Sequence, residues 1–178
     1  MAVRLLDVLK AHQVTITAFV VGAWLDTNGD LVTRFVDDGH ELANHTLTHP
    51  AFSSLDRTAM TNEVTECRDA LIRLAGTGGT YFRPSGTANG TDSPGEVVLD
   101  VAQRAGYPTV VGYDVDPADY QDPGPSEIVR RTGDAIQAGS IVSLHFGHPG
   151  TIEALPDIFN LLDARGLDAV VVKKLLAA

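Results

Sequence analysis

Apolar residues recur along this chain in two rhythms: short continuous runs rich in β-branched side chains, and longer stripes spaced three and four apart. Residues 3–12, VRLLDVLKAH, set Leu5, Val8 and Leu9 on one face, which predicts a helix. TITAFVV at 15–21 is apolar and β-branched, the pattern of a buried strand. Residues 30–39 read as a helix ended by Gly39, and ELANH at 41–45 as a short strand entering a loop. A long helix is expected at 57–75, before GTGG at 76–79, and a strand at 80–84 that Pro84 stops. Ser93, Pro94 and Glu96 predict a helix start with Ser93 as cap, and that helix runs to Gly106. Strands at 109–113, 140–145 and 168–172 then alternate with helices at 126–137 and 151–166.

This order of strand and helix implies an α/β fold around a mostly parallel sheet, closed or nearly closed into a barrel. Neither an internal repeat nor a long linker divides the 178 residues, so one domain spanning 1–178 is expected. In such folds chemistry gathers at the C-terminal ends of strands. The polar clusters fall there: His45 and His49, Arg83, Asp114 to Asp119, and His145.

Composition narrows the function. Hydrophobic content of 44% with 20% charged residues belongs to an ordinary globular protein. The net charge of −10 argues against a nucleic-acid partner, which needs a basic face. No run approaches the ~20 apolar residues of a membrane span. The amphipathic MAVRLLDVLKAHQ lacks the features of a signal peptide, so the chain as written is expected to be soluble and not exported. Cys67 is alone and reads as a structural thiol.

HELANHTLTHP, residues 40–50, is the densest chemical signal. On a helix, His45 and His49 would share one face, as in zinc proteases. Pro50 disfavours a helical His49, and Thr46 stands where such a protease needs its glutamate, so that reading fails. Two alternatives stay open: a turn that converges two imidazoles on one metal, or a polar loop that happens to be rich in histidine. His145 on an apolar run reads by itself as a packed core histidine, and Arg83 with Asp116 as an ordinary salt bridge. His12, His40 and His148 read as surface or structural. Asp114 and Asp119 read as cap and loop residues as readily as functional ones.

Taken in order, GHELANHTLTHP, VTITAFVVG, YFRPSG, YDVDPADY and IVSLHFG resemble the motifs of the polysaccharide deacetylases, the carbohydrate-esterase family with the NodB homology domain. The resemblance covers essentially the whole chain. It implies a distorted (β/α) barrel with fewer strands than the eightfold kind. It also implies a divalent metal, usually zinc with cobalt as an alternative, and removal of acetyl groups from an N-acetylated polysaccharide or oligosaccharide. Under it, His45 and His49 become metal ligands and His145 the general acid for the leaving amine. Asp116 and Arg83 form a buried pair that orients His145. Tyr120 and Ser143 line the acetyl pocket, and Ser85-Gly86 offers a backbone N–H to the oxyanion. The family's first motif, a strand ending in an Asp-Asp pair, has no counterpart, since Asp37-Asp38 lies at a helix end. The expectation is therefore a barrel missing its first strand, an N-terminally incomplete part of a longer secreted or envelope protein. A glycan-binding pseudoenzyme is the alternative.

Overall fold

Every helical stripe in the sequence becomes a helix in the computed structural model, which describes residues 1–86, 90–91 and 93–177. These residues form two compact units, Thr17–Gly112 and the combination of Met1–Ile16 with Tyr113–Ala178.

In the first unit, β1 (Thr17–Val20) pairs in parallel with β2 (Glu41–Asn44), Thr17 opposite Glu41 and Val20 opposite Asn44. Single parallel bridges extend the order from Asn44 to Phe82 and from Phe82 to Val110. The strands expected at 80–84 and 109–113 are therefore reduced to one bridged residue each. Pro84 lacks the N–H that would carry the ladder further. The crossovers are α2 (Gly22–Thr27), α3 (Gly29–Asp37), α4 (Arg57–Ala75) and α5 (Glu96–Arg104). The six-residue α2 has no counterpart in the hydrophobic pattern because it is too short to show a period. Asp56 caps α4 by accepting from the Ala59 N–H at 2.8 Å, and Gly76 ends it at φ 74, a conformation glycine adopts without strain. The start of α5 corrects the expectation: its cap is Gly95, with no side-chain capping bond, and Ser93 lies outside the helix.

Between these elements, Phe52, Val64, Phe82, Val101 and Tyr107 form the core. One polar pair is buried within it. Asn44 donates to the Val64 carbonyl at 2.8 Å and to the Tyr107 hydroxyl at 3.1 Å, and that hydroxyl donates to Gly78 O at 2.6 Å. Burial pushes the Tyr107 phenol up to about 12, so it stays a neutral donor.

His40 is buried too, its ring 5.6 Å from that of Phe35. Burial lowers its pKa from the ordinary 6.5, Asp38 pulls against that shift, and Arg34 adds to it. The unfolded chain therefore takes up the proton first, and stability is lost as pH falls below 6.5 toward the folded value. Melting temperature measured from pH 7 to pH 5 is expected to fall more steeply for the parent than for His40→Gln. Equal slopes would contradict this.

The second unit holds α1 (Ala2–Ala11), α6 (Pro125–Ala135), α7 (Pro149–Ala164) and the four-residue α8 (Val172–Leu175), with one parallel bridge between Val115 and Val142. Gly133 lets α6 approach α7 closely, since a Cβ there would meet Leu161 at 2.7 Å. The strand expected at 168–172 is absent among the described residues. Val171 is extended but joins no ladder, and Val172 already opens α8. An extended backbone becomes a strand only with a partner. No described helix is long and apolar enough to cross a membrane.

Candidate active site

Two clusters carry the candidate chemistry, one in each unit. The first begins where β2 ends. The His45 N–H continues the parallel ladder to Val20 O at 3.0 Å, and then the chain turns sharply. Thr46 (φ 72) and His49 (φ 60) both take the left-handed conformation. For a β-branched threonine this costs on the order of 1–3 kcal/mol and must be held by its surroundings.

The holding contacts are all present. Asn44 Oδ1 accepts from Thr46 N at 2.9 Å. The Thr46 hydroxyl donates to Ser85 Oγ at 3.0 Å and accepts from His49 N at 3.2 Å, and Ser85 donates on to Pro50 O at 2.7 Å. Glu63, from α4, accepts from Leu47 N at 2.9 Å, Thr48 N at 2.8 Å and the Thr48 hydroxyl at 2.7 Å. Gly22 and Ala23 cap the other side through Thr46 O and Leu47 O, and a side chain at Gly22 would strike Leu47 at 2.8 Å.

This turn sets the His45 and His49 ring centroids 5.0 Å apart, so the structure brings together the two residues predicted as a pair. His45 Nδ1 lies 2.8 Å from the Arg83 carbonyl. A carbonyl only accepts, so Nδ1 carries the proton and Nε2 keeps its lone pair. A backbone acceptor behind a metal-binding imidazole fixes its tautomer and raises its basicity. Neutral imidazoles are donors that zinc prefers, so His45 and His49 are the residues that would hold such an ion, as two of the three protein ligands usual for a catalytic site. Among the described residues no group of three His, Cys, Asp or Glu converges. Arg83 itself donates to Val111 O at 3.0 Å and Gly112 O at 2.8 Å, and its guanidinium lies 4.1 Å over the Phe19 ring. Its main-chain carbonyl is what touches His45.

Ser85 is wholly buried, its hydroxyl committed to this lock, while Gly86 is exposed at φ 64. A Cβ at Gly86 would meet Ala51 at 2.9 Å, so only glycine fits. Cys67 is buried, its thiol 3.5 Å from Val20 O and pushed by burial to about 12, which suits packing and not nucleophilic attack.

Glu63 and Thr46 were not legible as site residues. Glu63→Ala should loosen the turn and weaken zinc affinity roughly 10- to 100-fold, the range for outer-shell losses. Calorimetric zinc titration of both proteins checks it, and unchanged affinity would show that the turn holds itself.

The second cluster centres on His145. Its Nδ1 lies 2.8 Å from Asp119 Oδ1, and its backbone N–H donates to Asp119 Oδ2 at 2.6 Å. The Thr151 hydroxyl donates to the same Oδ2 at 2.6 Å. This corrects the expected partner. Asp116 is exposed and accepts from Ala118 N at 2.8 Å, a local turn bond, while Asp119 is wholly buried beneath the imidazole. The cause is local: Ala118 at φ 53 reverses the chain between the two aspartates and turns the second one inward. Burial works to raise the Asp119 pKa, but the hydrogen bonds from His145 and Thr151 outweigh it and hold the carboxyl below the usual range. A carboxylate only accepts, so His145 Nδ1 carries its proton and Nε2 is the nitrogen that exchanges one. Tyr120 sets its ring edge-on to His145 at 5.2 Å and is 46% exposed, open enough to meet a ligand. Ser143 is buried and pairs through its N–H with Val115 O at 2.9 Å. His148, on the next turn, pairs with Asp122 at 2.9 Å.

Residues 1–110 match the family model described as polysaccharide deacetylase. A chitooligosaccharide deacetylase of Sinorhizobium fredii is 36% identical over 150 residues, covering 82% of this chain and 66% of that protein. One from Rhizobium leguminosarum bv. trifolii is 33% identical over 98% of this chain and 75% of its own length. A peptidoglycan-N-acetylglucosamine deacetylase of Bacillus cereus is 29% identical over 97% and 80%. Among solved structures, a family 4 carbohydrate esterase from Streptomyces lividans in complex with acetate superposes with TM-score 0.85 at 28% identity, covering 94% of this chain and 84% of that one. A pseudoenzyme of the same family from Bacillus anthracis gives TM-score 0.88 at 26% identity, covering 98% and 60%. The α/β architecture expected from the sequence is thus that of known relatives.

Proposed function

The chain belongs to the polysaccharide deacetylase family, and from that membership we propose that it is a metal-dependent hydrolase removing N-acetyl groups from N-acetylglucosamine-containing glycans, chitooligosaccharide or peptidoglycan. The observation that carries the reading is the His45–His49 pair, with His45 tied through Nδ1 to a backbone carbonyl. A divalent ion bound there supplies Lewis acidity toward water and an amide carbonyl. Zinc is the expected ion, and cobalt should substitute. His145 is the general acid: Asp119 fixes Nδ1–H and stabilises the imidazolium, and Nε2–H is delivered to the leaving amine. The exposed Gly86 backbone is the candidate oxyanion donor, and Tyr120 the wall of the acyl site.

Acetate release from N-acetylglucosamine oligomers, measured with zinc, with cobalt and with chelator, tests this. Release that needs the metal is expected, and no release from any acetylated glycan would contradict it. One observation favours a second reading, a glycan-binding pseudoenzyme: no third ligand joins the histidine pair among the described residues. Glycan binding indifferent to chelator and to His145→Ala would favour it.

A further inference from the structure

From the bond that crosses between the first turn of α7 and the Asp119 carboxylate, we infer that Thr151 is a positioning residue for His145, acting through Asp119; the inference rests on His145 as the proton donor. Asp119 opens a three-residue 3-10 turn between two left-handed residues, Ala118 (φ 53) and Asp122 (φ 52), which places its backbone but leaves the plane of its carboxylate to be set by hydrogen bonds. Its carboxylate must nevertheless present Oδ1 in line with the imidazole. Two donors fix the other oxygen, each at 2.6 Å: the His145 N–H and the Thr151 hydroxyl. The first moves with His145 and cannot serve as an external reference. The second is anchored on a sixteen-residue helix and is 2% exposed. Thr151 has one hydroxyl proton, and a carboxylate can only accept it, so that proton is committed to Asp119 and not to a helix carbonyl. The β-branched side chain holds the hydroxyl in few rotamers. Three residues thus form a chain, with Thr151 setting the carboxylate plane, Asp119 setting the ring, and the ring presenting Nε2.

The test is read by NMR on the metal-free, substrate-free protein together with steady-state kinetics. The His145 Nδ1–H proton, shielded from exchange by Asp119, should give a low-field resonance in the parent. Thr151→Val should lose or broaden it, with unchanged secondary structure, and Thr151→Ser should restore it. kcat should fall roughly ten-fold in Thr151→Val at unchanged KM, as for loss of a hydrogen bond to a charged group. A Thr151→Val protein that keeps the resonance with parental exchange overturns the inference. If that variant does not fold, the parent decides. A Thr151 hydroxyl proton slow enough to observe, with an Overhauser contact to the His145 N–H, supports the inference, and one exchanging too fast to observe overturns it. Neither resonance depends on turnover, so an inactive parent would defeat the proposed function and leave this result standing.

Discussion

Replacing His49 with alanine is expected to lower zinc affinity by more than about 100-fold, beyond the usual loss for an outer-shell partner, and to abolish acetate release. The size follows from the donor count. Only two imidazoles converge among the described residues, so each supplies half of the protein's hold on the ion. His45→Ala should do the same through a different contact set, since it also releases the Arg83 carbonyl from its 2.8 Å partner. Calorimetry and acetate assays on both variants check this. Near-parental zinc binding by either one would show that the pair is not the metal site.

The second large effect is at His145. His145→Ala should lower kcat by roughly 10²–10⁴-fold, the range of general acid catalysis, while zinc affinity stays at the parental value. That separation is the informative part. His145 is held by Asp119, not by a metal-binding partner, so its loss removes proton delivery and leaves the ion's donors in place. A parallel loss of metal would mean that His145 is a ligand.

Much of this was readable in the sequence, for identifiable reasons. The longer helices announced themselves by period, and α4 also by the glycines that follow it at 76–79, while its cap Asp56 emerged only from the structure. Pro50 excluded the helical alternative for the histidine pair but left a metal-binding turn and a plain polar loop equally open. Only the resemblance of residues 40–50 to the family's histidine motif marked the two as ligands. What escaped depended on contacts between distant residues. The Glu63 carboxylate reaches the turn from α4 across fifteen and sixteen positions in sequence, and no local pattern marks it. The choice between Asp116 and Asp119 was set by one left-handed residue, Ala118, a conformation that alanine does not advertise. The adjacency of Asp119 to Tyr120 was the available clue, because the ring that flanks His145 follows directly on the carboxylate that holds it. The expected strand at 168–172 had suitable residues but no ladder partner among the described residues, and the expected cap at Ser93 failed because the helix begins only at Glu96, with Gly95 as its cap.

The most direct measurement is zinc stoichiometry by elemental analysis after equilibrium dialysis of the parent, His45→Ala and His49→Ala. One ion per chain in the parent and none in either variant is the predicted result. An ion retained by both variants, or none bound by the parent at any zinc concentration that leaves it folded, would contradict a metal held jointly by these two imidazoles.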